Sequence, residues 1–498
     1  MPRPSNGQIS DCFQQRVSLK YIYLYLVPVL VLYCSCSKEN YQYIQFSQQL
    51  TRYAVLPALP PKPTDKPVKQ PTKLATPRLS RPAVSTQLTC DDVLHYAPDS
   101  LHPEHTPIRW VRLNAHIMNS SDSSKNFKEV EGRYFVKRVI ETANYRLNEN
   151  KQMHLPIGNH TPVLPPRFQW LLTGMADNPQ DDGIYFHYND SMYWVNKKGP
   201  GSFHSRNICE KYSLQGDSVI NVFFVEHHPD SCKSSTYKAS NDGIGYSDCV
   251  KVIGAYNTYQ SNLAANLSDA FEYGVGGLAD LLNHELGHSL GLSHTWIGND
   301  GCEDTPPNNN CWNYTDDDKC RTEVSNNIMD YNAFRNAITP CQIAKVHYNL
   351  SKEKRKQRAF VKPVWCEYAP AETIKIQKGD TIVWNAIKEL NGDIVIETGG
   401  QLTLQCALSM PPNSRILLKK GGSLILDGCT ISQHCPNPRP WQGIVLQRTL
   451  NRKQKPKLKV YNNATINTFI PPKSSFVKIS KTAKGTVYSP KQPAAPAK

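Results

Sequence analysis

The sequence predicts an α+β domain built on a mixed sheet, followed by a smaller β-rich domain. Three observations support this prediction. Segments with strand and helix periodicity alternate from residue 108 onward, a histidine-rich helix closes this region, and short strands recur at a regular interval after residue 371. At 498 residues the chain is long enough for two or three domains.

The mixed sheet is predicted from four apolar segments and one helix. Helical spacing covers residues 127–148, and strand patterns cover residues 108–118, 168–172, 183–188 and 218–226. The last segment is apolar on both faces apart from Asn221, which indicates an interior strand. The glycine cluster at 274–277 lacks the Lys and Ser or Thr of a phosphate loop, so we expect a flexible entry to the next helix.

Residues 284–294 read HELGHSLGLSH and predict a metal site. His284 and His288 lie one helical turn apart and aim at one point, and Gly291 permits a positive φ that brings in His294. Three neutral imidazoles leave a fourth zinc position for water, which the metal makes acidic enough to supply hydroxide. Glu285 can reach that water without competing for the metal. A chance arrangement of surface or core histidines is the weaker interpretation.

This is the metzincin form of the zinc motif, which is completed by a methionine turn beneath the metal. Residues 327–331 (NIMDY) supply one, with Met329 lying 35 residues after His294. With the flanking segments HTW at 294–296, CEDTP at 302–306 and ITPCQ at 338–342, the sequence resembles the pappalysin family of metzincins, in its bacterial cytophagalysin-like branch. The resemblance covers roughly residues 105 to 350 and is strongest over 281–342.

The resemblance implies a metzincin-like catalytic domain with a zinc-binding helix and a C-terminal lobe that holds the Met-turn. It implies a secreted or surface zinc endopeptidase that acts on proteins or peptides. The implied roles are zinc ligands for His284, His288 and His294, general base for Glu285, hydrophobic floor for Met329, and transition-state hydrogen-bond donor for Tyr331. One departure, Ile338 where the family has Phe, is expected to affect packing and leave the chemistry intact.

The N-terminus predicts export. Basic residues precede an apolar run over 21–33 that is too short for a stable membrane anchor and is typical of a secretory signal. Cys36 resembles a bacterial lipoprotein cleavage site, although Tyr33 stands where Leu is usual. Lipid attachment at Cys36 to an outer membrane or cell surface, and cleavage without a lipid, both stay open. Residues 37–88 are rich in proline and predict a tether.

Fifteen cysteines fit an oxidising compartment and predict disulfides. Four of them bracket the loop before the Met-turn, where the resembling family has two bridges, and the sequence leaves three pairings open: Cys302, Cys311, Cys320 and Cys341. A second metal site is disfavoured because no Cys-x-x-Cys occurs among them. In the same loop, residues 303–305 offer oxygen donors for the structural calcium known in that family, although an acidic solvated loop is the favoured interpretation.

The net charge of +15 does not predict a nucleic-acid partner. No recognised nucleic-acid module occurs, and much of the basicity lies in linker-like stretches. One of these, residues 351–370, is predicted to be a basic linker. Its basic run could contact acidic lipid or polysaccharide, although a solvated helix end between domains is the favoured interpretation.

The C-terminal third repeats itself. Residues 394–404 are echoed by 416–426 at an offset of 22, with a weaker copy at 374–383 and two candidate later copies. Strands returning at this period favour rungs of a parallel β-helix over 371–470, and a sandwich is the competing fold. Residues 471–498 are predicted to be a disordered tail.

The predicted organisation is therefore a signal at 1–36, a linker at 37–88, a protease domain at 89–350, a basic linker at 351–370, a β-helix-like domain at 371–470 and a tail. Two rival functions stay open. The chain could be a surface binding or adhesion protein whose β-rich domain holds glycan or a protein partner, or a zinc hydrolase acting on something other than peptides. The presence of every catalytic position, Glu285 included, favours the peptidase.

Overall fold

The computed structural model describes residues 90–195, 202–237, 239–264, 268–298, 300–435, 439–467, 477–482 and 485–490. The predicted signal, Cys36 and the proline-rich tether lie outside the described residues. Among the helices that are described, none has the length and apolar character needed to cross a bilayer.

The first region is a mixed α/β assembly. Its strands β1 to β7 are Arg109–Asn119, Phe168–Leu172, Ile184–Tyr188, Trp194–Val195, Ile220–His227, Asp242–Gly245 and Cys249–Ile253. Its helices α1 to α7 are Glu129–Asn148, Asp190–Tyr193, Asn207–Tyr212, Pro229–Cys232, Ala255–Ala264, Ser268–Ser289 and Pro340–Ser351. All four predicted strand segments and the predicted helix are present, with bounds shifted by at most two residues.

The sheet has the order β2-β1-β5-β7-β6, with β3 pairing to β1 and β4 to β5. All pairs are parallel except β6–β7, so the sheet is mixed as predicted and β6 forms an antiparallel edge. Every residue of β5 is buried between β1 and β7, which confirms the interior strand. Asn221 is accommodated there because its Oδ1 accepts from the backbone N–H of Leu214 at 2.8 Å.

The glycine cluster at 274–277 is not a flexible entry, and that prediction was wrong. It lies inside α6, which packs against α1. A Cβ on Gly276 would lie 2.3 Å from the guanidinium of Arg146 on α1, so the missing side chain leaves room for this guanidinium against the helix. The sequence pattern shows the glycines but not the neighbouring helix.

The second region consists of short strands in repeating groups of three. Strands β8 to β19 are Ile374–Ile376, Thr381–Trp384, Lys388–Glu389, Ile394–Ile396, Gln401–Leu404, Leu408–Ser409, Ile416–Leu418, Ser423–Asp427, Thr430–Ser432, Ile444–Gln447, Lys457–Tyr461 and Thr465–Ile466. Each group adds one strand to each of three sheets, and pairing is parallel from β8 through β19. Ile394 pairs with Ile416, the register that the 22-residue offset predicts. A sandwich, whose strands are antiparallel, does not have this pairing.

Two stretches differ from their predictions. The basic segment 351–370 forms short 3₁₀ turns rather than a solvated linker, because Phe360, Val361 and Trp365 are buried in the core of the first region. The stretch predicted to be a disordered tail contains two antiparallel strands, Val477–Thr482 (β20) and Gly485–Pro490 (β21). β21 pairs with β17, so the edge of a sheet supplies the hydrogen-bond partners that local composition does not reveal.

Five disulfides cross-link the described residues: Cys90–Cys406, Cys209–Cys249, Cys302–Cys341, Cys311–Cys320 and Cys366–Cys435. The loop before the Met-turn therefore has a nested pairing, one of the three that the sequence left open. Two bridges join the α/β region and its following turns to the repeat region, which accounts for part of the high cysteine count.

Candidate metal and catalytic site

The predicted metal ligands come together at the C-terminal end of α6. His284 and His288 lie on one face of the helix, which ends at Ser289. Gly291 has a φ of +92°, and the backbone N–H of Leu292 returns to the carbonyl of Gly287 at 3.0 Å. This left-handed turn reverses the chain and brings His294 to the other two imidazoles.

The three Nε2 atoms face one point. The Nε2 of His294 lies 3.2 Å from that of His284 and 3.0 Å from that of His288. Tetrahedral zinc with Zn–N bonds of about 2.0–2.1 Å separates its ligand nitrogens by roughly 3.3 Å, so the spacing fits the metal. Without a cation, three lone pairs at this distance would repel one another. These residues therefore fit the ion that the donor set implies.

Backbone acceptors hold two of the rings in the required tautomer. The Nδ1–H of His284 donates to the carbonyl of Ile328 at 2.7 Å, and that of His288 donates to the carbonyl of Leu292 at 2.9 Å. Both contacts leave Nε2 unprotonated and facing inward. Burial, assisted by the neighbouring imidazole of His288, lowers the pKa of His294 to about 4, and burial also lowers the pKa of the other two. All three are therefore neutral near pH 7, the state that binds metal.

Glu285 points toward the edge strand β6. A Cβ at Gly243 would lie 2.6 Å from its Cγ and Oε1, so the carboxylate rests directly on this glycine, and the backbone N–H of Gly245 donates to it. Burial raises the pKa of Glu285 to about 7, against the opposing influence of Arg335. A carboxyl group with a pKa near neutrality can both accept and return a proton.

Met329 lies beneath the histidines. It is fully buried, and a Cβ at Gly287 would lie 2.5 Å from its Sδ. Gly287 lies between the first two histidines along α6, so the methionine packs against the helix between His284 and His288. The adjacent carbonyl of Ile328 is the acceptor for His284, which ties this turn to the first ligand.

One comparison with protein families matches the part of the chain that contains this arrangement. A family profile described as pregnancy-associated plasma protein-A, peptidase family M43, matches residues 220–351. This segment matches the pappalysin family of metallopeptidases. It runs from the start of β5 to the end of α7 and contains all three histidines, Glu285 and Met329. The family implies a catalytic zinc ion.

Solved structures of mirolysin are among the matches to part of the chain. Mirolysin in complex with compound 9 is 16% identical, with 51% of this chain and 96% of that chain covered and a TM-score of 0.34. Mature mirolysin of Tannerella forsythia with a cleaved peptide is 15% identical, with the same coverage and a TM-score of 0.33. A Tannerella forsythia promirolysin mutant is 14% identical over 54% of this chain and 88% of that one, with a TM-score of 0.33. Among curated proteins no match was found.

In the pappalysin-family segment, Tyr331 stands at the open side of the histidine cluster. Its ring centre lies 5.0 Å from that of His294 and 5.6 Å from that of His284, and the side chain is 45% exposed. Burial of the remainder, together with the negative charge of Glu285, raises the pKa of Tyr331. The phenol therefore stays protonated and can donate a hydrogen bond at the site.

Several residues that position this site were not singled out from the sequence. The Oδ1 of Asp330 accepts from the hydroxyl of Thr295 at 2.5 Å, and its Oδ2 accepts from Asn308 at 3.0 Å. This buried carboxylate therefore links the segment that contains His294 and Thr295 to the Met-turn. Trp296 stacks on His294 with ring centres 4.0 Å apart. Thr295, Trp296 and Asp330 are next to motif residues in the sequence, which was the one sign that they position the site. Only the folded loop shows which atoms they contact.

The start of α7 shows what Thr339 and Gln342 do in the segment 338–342. Thr339 and Gln342 form a capping box, and the side chain of Gln342 exchanges two hydrogen bonds with Asn327 of the Met-turn. Asp304, a candidate calcium ligand, accepts from the hydroxyl of Thr339 at 2.7 Å and from the backbone N–H of Cys341 at 3.0 Å. These contacts satisfy both of its oxygens without a metal, and calcium binding stays a prediction.

Proposed function

We propose that the chain is an exported zinc endopeptidase that hydrolyses internal peptide bonds of proteins. The observation that carries the proposal is the convergence of three unprotonated Nε2 atoms beside a buried carboxylate at the edge of the sheet. His284, His288 and His294 would hold the ion. When bound, zinc supplies Lewis-acid chemistry, polarising a carbonyl and making hydroxide available near neutral pH.

The residues of the chain supply the remaining steps. Glu285 accepts a proton from the attacking water as the C–O bond forms and the carbonyl oxygen becomes an oxyanion, and it returns that proton to the amine nitrogen as the C–N bond breaks. Tyr331 donates a hydrogen bond to the oxyanion, a contact made mainly in the transition state. Among the described strands, β6 pairs with β7 alone, so an extended substrate can pair with its other side next to Glu285.

The test compares Glu285→Gln with Glu149→Gln, a control at an exposed acid beyond the end of α1. We expect Glu285→Gln to lose peptide hydrolysis while it keeps one zinc per chain by elemental analysis, because the metal ligands are untouched. Tyr331→Phe should lower kcat more than it raises KM. A zinc chelator should abolish activity. Unchanged hydrolysis by Glu285→Gln would overturn the mechanism.

The rivals are distinguished with casein or gelatin as substrate. A binding protein with an inert protease region would cleave neither casein nor gelatin. A zinc hydrolase of another substrate class would also leave both proteins intact, although it would contain zinc. Chelator-sensitive cleavage supports the proposal. The presence of Glu285 beside the ligands favours the peptidase over an inert scaffold.

We also propose the organisation predicted from the sequence, with a protease domain at 89–350 and a short parallel β-helix at 371–470. The in-register parallel strands of β8 to β19 support the β-helix. Export is supported by the disulfides, which form in oxidising compartments. Surface attachment through Cys36 is tested by labelled lipid: incorporation should disappear in Cys36→Ala, and an unlabelled wild type would reject the anchor.

A further inference from the structure

A second cluster of metal-ligating side chains lies on the short segment that precedes β1. His102, Glu104 and His105 each offer one ligating atom, and these atoms lie within 4.8 Å of one another. The Oε1 of Glu104 is 3.3 Å from the Nδ1 of His102 and 3.7 Å from the Nε2 of His105. Ligand atoms of a tetrahedral zinc ion are roughly 3.3 Å apart, so the carboxylate stands close to the spacing that one ion requires.

His105 is the fixed member of this cluster. Its side chain is 2% exposed, and neither ring nitrogen has a hydrogen-bond partner of normal geometry among the described residues. The indole of Trp384 packs edge-on against the ring with centres 6.0 Å apart, and the backbone of Lys375 also interacts with it. Burial lowers the pKa of His105, so the ring is neutral near pH 7 and one nitrogen carries a lone pair. A buried polar atom left unsatisfied costs free energy, and binding a cation would satisfy that lone pair.

The other two side chains have room to complete the site. The rings of His102 and His105 are stacked with centres 4.8 Å apart, so coordination of one ion requires the ring of His102 to turn. The side chain of His102 is 24% exposed and that of Glu104 is 62% exposed, so neither is held by packing on all sides. The backbone is more restricted, because the 3₁₀ turn Pro103–His105 begins with a proline of fixed φ.

A carboxylate outside the cluster lies behind His102. The Oδ1 of Asp380 is 3.9 Å from the Nε2 of His102, and its Oδ2 accepts the backbone N–H of Gln377 at 2.7 Å. Metal-bound histidines commonly direct their second ring nitrogen at a carboxylate, which orients the ring and makes the ligating nitrogen more basic. Asp380 lies between β8 and β9, so this contact joins the histidine to the repeat region.

We propose that His102, Glu104 and His105 bind a second divalent cation of the zinc type, with Asp380 orienting His102 from outside. Two imidazole nitrogens and one carboxylate oxygen form a donor set that suits zinc, whereas calcium and magnesium take oxygen ligands. Water completes the coordination. An ion bound here stabilises the folded chain, because the unfolded chain does not hold these atoms together. The competing interpretation is a carboxylate that pairs with two imidazoles and binds no metal.

The experiment counts zinc in the purified full chain after dialysis at a fixed free zinc concentration. The wild type should contain one zinc more per chain than His102→Ala or Glu104→Ala, which replace side chains that are not buried. Both variants should keep the peptide hydrolysis of the wild type. The matched control is His95→Ala, which removes a histidine paired with Asp92 on the neighbouring 3₁₀ turn and should keep the full zinc count.

Adding the change His284→Ala separates the two sites. This substitution removes a proposed catalytic ligand, so it should lower the zinc count by one both in the wild type and in His102→Ala. If the catalytic site held no zinc, the difference between the wild type and His102→Ala would still report the second site.

Thermal unfolding provides a second readout. Zinc added to chelator-treated protein should raise the Tm of wild type more than that of His102→Ala, because only the wild type gains the second ion. Equal zinc counts in the wild type, His102→Ala and Glu104→Ala would overturn the assignment. A zinc also lost from His95→Ala would show unspecific surface binding and overturn it. A lowered Tm in the two variants with an unchanged zinc count would show an ion pair without metal, and that result also overturns it.

Discussion

Gly243→Ala tests whether the edge strand positions the proposed general base. A Cβ at this position would lie 2.6 Å from the Cγ and Oε1 of Glu285 and 2.8 Å from its Cδ. Ordinary contacts between such atoms are about 3.5–4.0 Å, so either the carboxylate or β6 must move by about 1 Å. Displacements of this size in a catalytic group cost on the order of a hundredfold in rate.

We therefore expect kcat/KM of Gly243→Ala on a reference peptide to fall about a hundredfold, equivalent to about 2.7 kcal/mol of transition-state free energy. Zinc content should not change, because the collision does not reach the histidines. The Tm should change little, because β6 is an edge strand. The matched control is Gly216→Ala, where no atom lies within 4 Å of the new Cβ.

The control should keep kcat/KM close to that of the wild type. Activity of Gly243→Ala within about threefold of the wild type would refute the reasoning, because it would mean that Glu285 need not be held where β6 places it. Loss of zinc together with activity would also refute it, since the histidines would then be the groups displaced.

Two further predictions concern the junction with the repeat region. Glu389→Gln should lower the free energy of unfolding by about 3–5 kcal/mol, because it leaves the guanidiniums of Arg109 and Arg358 buried without their shared carboxylate. For about 400 residues unfolding together this is a Tm decrease of about 4–6 °C by calorimetry, and an unchanged Tm would contradict the role of the pair. Burial, with the nearby charge of Arg109, lowers the pKa of Lys388 to about 7. The unfolded chain keeps this proton up to a pH of about 10.4, so the free energy of unfolding of the wild type should rise between pH 7 and 10. In chemical denaturation, Lys388→Met should be more stable than the wild type at pH 7, and its free energy of unfolding should depend less steeply on pH. An equal pH dependence in the two proteins would contradict the lowered pKa.

Much of the site follows from local spacing. The positions of His284 and His288 need only helical periodicity, and the turn to His294 needs a residue that tolerates positive φ, which Gly291 is. The strand pattern around Asn221 was sufficient to predict an interior strand, because burial on both faces requires near-continuous apolar residues. The 22-residue repeat predicted the parallel register of the C-terminal strands, because stacked strands repeat the same side-chain pattern.

Other features depend on neighbours that are distant in the chain. The glycines at 274–277 belong to a helix because Arg146 and α1 lie against them. The tail forms strands because β17 offers an unpaired edge. The segment at 351–370 is buried because its few apolar residues reach the core of the first region. Local composition does not show which distant residues will lie against a segment. The predictions for the glycine cluster, the tail and the basic segment therefore failed for the same reason.

By itself the sequence predicted the proposed metal ligands, the proposed proton-transfer residue and the succession of a mixed-sheet region and a repeat region, because these predictions depend on residue type and short-range periodicity. The tertiary structure decided how the site is tuned. Burial against β6 raises the pKa of Glu285, and the carbonyl of Ile328 in the Met-turn orients His284. Each of these effects arises from atoms brought together across many residues, and only the folded chain determines which atoms they are.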